Sequence, residues 1–162
     1  MADDKTNVMR ILDQKKIPYT PHSHPAPDGA VDGKEMARLL GIDPARAFKT
    51  LVTRGAGGGY YVFVVPVERT LDLKAAARAA GEKSIRMIPQ SELLPLTGYV
   101  HGGCSPVGMK KLFPTFLDAS AETLPTMFCS AGKIGRQIEV APRDLAGLVR
   151  ARFAPVSTAE EA

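Results

Sequence analysis

One lysine and two glycine-rich turns carry most of the chemistry open to this sequence. Lys49 stands inside an apolar run, Ala47-Phe48-Lys49-Thr50-Leu51. Further along, Gly98-Tyr99-Val100-His101-Gly102-Gly103-Cys104-Ser105-Pro106-Val107-Gly108 places four glycines, a proline and a serine in eleven residues. Glycine lets a backbone come close to a ligand and turn through positive φ, and proline stiffens the exit. A loop of this kind presents bare N–H groups, which suit an anionic or carbonyl-bearing ligand. A second turn, Ser130-Ala131-Gly132-Lys133-Ile134-Gly135-Arg136, carries two cations and could meet a phosphate or one end of a substrate.

Each segment also has a plainer reading. Lys49 can be an edge-strand lysine reaching for water, and either turn can be a simple connection with solvated charges. The first block is no Walker loop, because no Gly-Lys-Ser/Thr closes it, and no GxGxxG opens a helix there. Ser105 and Cys104 offer a hydroxyl and a thiol. Neither has a histidine and a carboxylate in a recognisable triad arrangement, so a covalent enzyme nucleophile lacks support. His22 and His24 lie in a proline-rich stretch without a third ligand at useful spacing, and Cys104 and Cys129 fit no zinc pattern. No metal and no cofactor are expected.

The elements that must position these groups follow from periodicity and punctuation. Val8, Met9, Ile11 and Leu12 at helical spacing predict an amphipathic helix over 5–16. Ile17–Thr20 reads as a short strand and 21–33 as a loop. Asp32 with Glu35 resembles a capping box and Gly41 a stop, so the helix between them spans Gly33–Leu40. Asp43-Pro44 starts a single turn. Phe48–Thr53 and Tyr60–Val65 predict a hairpin at the sheet centre, joined by Gly55–Gly59. Alternation sends Lys49 and Leu51 to one face of the strand, Phe48 and Thr50 to the other. Leu71–Ala80 reads as helix, Ser84–Ile88 as strand and Pro89–Leu94 as a short helix. Thr115–Asp118, Thr126–Cys129 and Gln137–Val140 follow as strands, and Pro142–Arg152 as a closing helix. The fold class is α+β: a curled, mixed but mostly antiparallel sheet with flanking helices. The 162 residues read as one domain, with a frayed tail over 154–162.

Composition bounds the rest. At 44% apolar and 23% charged residues, the chain can bury a real core. No apolar run of about 18 residues predicts a membrane span, and Met-Ala-Asp-Asp-Lys does not open a signal peptide; the expected location is the cytoplasm. A net charge of +4 permits a polyanionic partner such as RNA without demanding one. Lys110-Lys111 reads as a solvated face or a minor nucleic-acid contact.

Taken in order, Phe48-Lys49-Thr50-Leu51, Val65-Pro66, Leu71-Asp72-Leu73-Lys74, the Gly98–Gly108 block, Lys110-Lys111 and Ser130-Ala131-Gly132-Lys133 leading into Gln137-Ile138-Glu139 resemble one family. They are similar to the YbaK/EbsC-type aminoacyl-tRNA deacylases, free-standing relatives of the editing domain inserted in bacterial prolyl-tRNA synthetases. The resemblance runs over roughly Val8 to Phe153 and implies that family's curled mixed sheet. It implies a mischarged tRNA as substrate, best known as Cys-tRNA(Pro), from whose terminal adenosine the amino acid is released. Lys49 would be the catalytic lysine that orients the aminoacyl-adenosine end. Gly102, Gly103, Ser105 and Pro106 would line the pocket, with Ser130 and Gly132 on its other wall and His24 and Gln137 beside the substrate. In cysteine-specific members the substrate's own thiol is thought to attack its ester, which would explain the missing triad. Such members often carry a tyrosine at the place of His24, an acidic residue at Gln137, an aliphatic one at Cys104 and a glycine at Ala131. Related members remove alanine or other small amino acids with water. A prolyl-tRNA synthetase is an expected partner, and a non-catalytic module binding tRNA or that synthetase is the alternative of a different class.

Overall fold

The computed structural model describes residues 4–24 and 33–159. Its elements run α1 (Asn7–Gln14), β1 (Tyr19–Ser23), α2 (Gly33–Leu40), β2 (Phe48–Gly55), β3 (Tyr60–Pro66), β4 (Arg69–Leu71) and α3 (Leu73–Ala80). They continue with β5 (Ile85–Met87), α4 (Leu93–Thr97), β6 (Thr115–Asp118), β7 (Met127–Ser130), β8 (Arg136–Val140), α5 (Pro142–Val149), β9 (Arg152–Ala154) and β10 (Ser157–Ala159). Short 3-10 turns at Pro44–Arg46, Gln90–Glu92 and Ala119–Thr123 lie between them. The expected capping residue Asp32 lies outside the described residues.

A five-stranded sheet, ordered β5-β2-β3-β6-β9, forms the backbone of the molecule. The β2–β3 hairpin sits at its centre, with Lys49 opposite Val65 and Leu51 opposite Phe63. β3 and β6 are parallel, as are β6 and β9. The long connection between β3 and β6 makes a parallel return possible where a tight turn could not. A second, antiparallel sheet has the order β1-β8-β7. It curls over the first, and one parallel rung between Ala47 and Phe128 ties the two together.

Alternation along the hairpin gives it two buried faces. Phe48, Val52, Val62 and Val64 join the larger core with Val8, Leu12, Leu117, Ile138 and Leu145. Phe63 and Val65 face a smaller core under α3 with Leu71, Ala76 and Phe116, and Leu51 packs against it. Lys49 therefore stands on the smaller-core face, as alternation predicts, at the end of the strand that α3 leaves open.

β1 runs on to Ser23, into the stretch read as a loop, and three other differences from expectation have identifiable reasons. The helix expected from Leu71 begins at Leu73, because Asp72 caps it by accepting from Lys74 and Ala75 N–H at 3.1 Å. That leaves Arg69–Leu71 extended to pair with β10. The closing helix stops at Val149, where Arg150 turns left-handed at φ 57°. The tail expected to fray from Ala154 is instead ordered in strands as far as Ala159. Val156 is fully buried and donates its N–H to the buried Asp118 carboxylate at 3.1 Å, an interaction no residue pattern announces.

Candidate functional site

A cavity of about 400 Å³ opens where the two sheets meet, within the size range of small-molecule sites. Several elements wall it. β2 supplies Phe48, Lys49, Thr50 and Leu51; α2 supplies Lys34, Met36 and Leu40. The first glycine block supplies His101, Gly102 and Cys104, and the β7–β8 sheet supplies Ser130 and Gln137. Among the described residues Lys34 and Lys49 bring positive charge to its lining, and His101 stands beside them. The site therefore favours an electron-rich ligand.

Backbone contacts explain why both turns need glycine. A Cβ on Gly103 would stand 3.2 Å from Ile134 N and 3.3 Å from Lys133 C, so the two turns touch main chain to main chain. Gly132, at φ 97°, would place a Cβ 3.1 Å from both Tyr99 and Val8. α1 thus braces both turns from behind. It is fixed at its start by Thr6, whose hydroxyl accepts from Met9 N–H at 3.3 Å. Tyr99 ties the first block to itself, its hydroxyl donating to the Val107 carbonyl.

Of the residues singled out from sequence, Lys49, Gly102, Ser130 and Gln137 line the cavity directly. Gly103 and Gly132 lie behind its wall, at the contact between the turns. Ser105 is fully buried, and its hydroxyl accepts from Val107 N–H at 3.2 Å. Pro106 borders a separate apolar cleft of about 160 Å³ with Ile11 and Leu148. His24 stands past the end of β1, its backbone N–H donating to Gly135 O at 2.9 Å. Sequence reasoning missed Thr50, whose side-chain oxygen is buried without a hydrogen-bond partner among the described residues. Its place beside Lys49 was the available signal. The α2 contribution was legible only as an amphipathic face.

The cavity holds hydroxyl and thiol groups, but none is poised to attack. Ser130 Oγ accepts from Gly132 N–H at 3.0 Å. Cys104 is almost wholly buried, and burial pushes its thiol up to about 12. Little of it is then thiolate at pH 8. Cys104 is accordingly expected to resist iodoacetamide at pH 8 in the folded protein. Mass spectrometry of the intact and urea-unfolded chain checks this, and rapid native alkylation at Cys104 contradicts it.

With this geometry in view, comparison with known proteins places the fold. The aminoacyl-tRNA editing domain profile matches residues 28–148, and the chain belongs to that family. By class it is an aminoacyl-tRNA deacylase. It is 43% identical over 159 residues, 98% of this chain and 97% of the other, to the Enterococcus faecalis protein called "Putative Cys-tRNA(Pro)/Cys-tRNA(Cys) deacylase EbsC". A solved structure described as "a putative trans-editing enzyme for prolyl tRNA synthetase" superposes with a TM-score of 0.79 at 26% identity, covering 96% of this chain and 99% of that one. "Hypothetical protein APE2540" superposes with a TM-score of 0.85 at 24% identity, over 94% and 100% of the two chains, a likeness of fold alone. The expected curled α+β fold is the fold of this family.

Proposed function

We propose that the cavity receives the aminoacyl-adenosine end of a mischarged tRNA, Cys-tRNA(Pro) first among them, and that the substrate's own thiol cleaves the ester. The observation that carries this reading is the pairing of Lys49 with a wall that holds no activated nucleophile. The reaction then needs positioning and charge stabilisation only. The substrate Sγ bonds to the ester carbonyl carbon, the bond from that carbon to the ribose oxygen breaks, and the thiol proton passes to the departing alkoxide. A cyclic thioester leaves and water opens it to cysteine. Lys49 and the N–H groups of the Gly102 turn would face the carbonyl oxygen as it gains charge.

The proposal takes the chain to act as one editing domain in the cytoplasm, alongside prolyl-tRNA synthetase, which would read the tRNA body that so small a domain has little surface to grip. Among the described residues no helix is long and apolar enough to cross a membrane. A second reading, removal of alanine or another small amino acid by water, draws on Gln137 and Cys104, which line the cavity where cysteine-specific relatives often differ.

The test is deacylation of Cys-tRNA(Pro) beside Ala-tRNA(Pro) and Ser-tRNA. Cysteine cleared at least about tenfold faster supports the thiol route. Equal rates select water and the second reading, and no turnover with tight binding of charged and uncharged tRNA alike selects a binding module. A folded but inactive Cys104→Ala protein would point to an enzyme thiol and overturn the substrate-thiol route.

A further inference from the structure

We infer that Arg46 and Glu139 form a positioning pair that holds the two halves of the cavity at their working distance, and so sets where Lys49 stands relative to Ser130 and Gln137. The inference rests on the deacylase reading above and extends it to residues that do not touch the cavity.

The β1-β8-β7 sheet turns one face toward the site. Its register puts Ser130 opposite Gln137 and Phe128 opposite Glu139, and His22 opposite Gln137. Opposed residues share a face, so Phe128, Glu139 and His22 continue the wall that Ser130 and Gln137 begin. Arg46 reaches this surface from the other half of the site. It ends the 3-10 turn Pro44–Arg46, three residues before Lys49.

The contacts form a closed cluster. Arg46 donates through Nε to Thr126 O at 3.2 Å and through Nη2 to the Thr126 hydroxyl. Its guanidinium lies 5.4 Å over the Phe128 ring. Nη2 stands 3.4 Å from Glu139 Oε2, which also accepts the Thr126 hydroxyl at 2.6 Å. The other carboxylate oxygen, Oε1, lies 3.1 Å from His22 Nε2. The Thr126 hydroxyl first, then His22 and Arg46, hold the Glu139 carboxyl below its ordinary range, so it is charged at neutral pH.

An isolated surface ion pair would contribute little. This one is about two-thirds buried on the arginine side and three-quarters on the glutamate side, and it has a specific place. Among the described residues, the two sheets share a single backbone rung, between Ala47 and Phe128. Arg46 and Glu139 flank that rung. The core shared by Phe48, Cys129 and Ile138 holds the inner side of this seam; without the Arg46–Glu139 tie across its outer side, a small shift of the start of β2 along β7 would carry Lys49 with it. A misplacement of about 1 Å at a reacting group can cost about a hundredfold in rate.

The experiment compares wild type with Arg46→Lys, Glu139→Gln and the double variant, reading kcat and KM on Cys-tRNA(Pro), thermal unfolding, and the NMR signal of 13C-dimethylated Lys49, assigned through Lys49→Arg. Lysine cannot span Thr126 and Glu139 together as the guanidinium fork does. Each single variant is expected to lower kcat about tenfold or more with KM within about twofold, and to move the Lys49 signal. The double variant should be little worse than either single one, because each change already breaks the same coupling. Unchanged kcat with an unmoved Lys49 signal overturns the inference, as do losses that simply multiply in the double variant. Should Glu139→Gln not fold, Thr126→Val, which removes one hydrogen bond from each partner, carries the same test. Wild-type protein inactive on every aminoacyl-tRNA would sink the deacylase reading alone, since the Lys49 signal judges the positioning pair without turnover.

Discussion

Lys49→Ala is expected to lower kcat/KM on Cys-tRNA(Pro) by about a hundred- to a thousandfold, the usual loss when one preorganised charge-stabilising group is removed. Lys49 is the charged group that β2 brings to the cavity wall, flanked by Phe48 in the larger core and Leu51 against the smaller one. Both neighbours are anchored, so the strand carries the ammonium at a fixed place. Lys34 also lines the cavity, but it is exposed to solvent, which screens its charge. Lys49→Arg is not a rescue, because the planar fork is longer and wider than an ammonium. Since Lys49 is half-buried near a strand end, the alanine variant should melt within a few degrees of wild type. Single-turnover deacylation with calorimetry separates the two effects. A loss under threefold would remove Lys49 from the reaction.

Gly103→Ala is expected to damage stability and activity together. All three atoms nearest the new Cβ are main chain: Ile134 N at 3.2 Å, Lys133 C at 3.3 Å and Lys133 Cα at 3.4 Å. Backbone cannot rotate aside as a flexible side chain can, so the two glycine turns must part by a few tenths of an ångström. Overpacking of this kind costs about 1–3 kcal/mol. In a chain of this size that lowers the melting temperature by roughly 2–4 °C per kcal/mol. Gly102 and Ser130 lie on the cavity side of the same contact, so about a tenfold loss of activity should accompany the shift. Denaturant unfolding and the deacylation assay check both arms. A variant with wild-type values in each would mean the turns are not held against one another.

The sequence made the local parts legible and left the long-range ones hidden. The α2 boundaries and the β2–β3 hairpin follow from punctuation and alternation, which act over a few residues. Lys49 stood out because a cation in an apolar strand must be accounted for, and both glycine turns because so much backbone freedom concentrates in few positions. Which glycine lines the cavity and which packs behind it depends on the approach of two turns about thirty residues apart in the chain, and no local pattern encodes that. Thr50 escaped notice because threonine is ordinary in a strand; only the structure shows its hydroxyl unpartnered. The ordered tail escaped for a similar reason. Its hold is a buried carboxylate, Asp118, nearly forty residues upstream, where the sequence shows an acidic residue like any other.

The pairing of β1 with β8, which sets Tyr19 opposite Val140, also bears on when the site comes into being. The β2–β3 hairpin closes over a short turn and can form early, with Lys49 already on it. The opposite wall needs β1 and β8 to meet across most of the chain, a slow step, since loop-closure entropy is lost before the contacts can compensate. Before that meeting Lys49 would stand on its hairpin without a chamber around it. An ammonium in bulk water stabilises a developing negative charge only weakly, so the hairpin alone would leave aminoacyl esters intact. The chamber, and any cleavage within it, would then arise only with the complete fold.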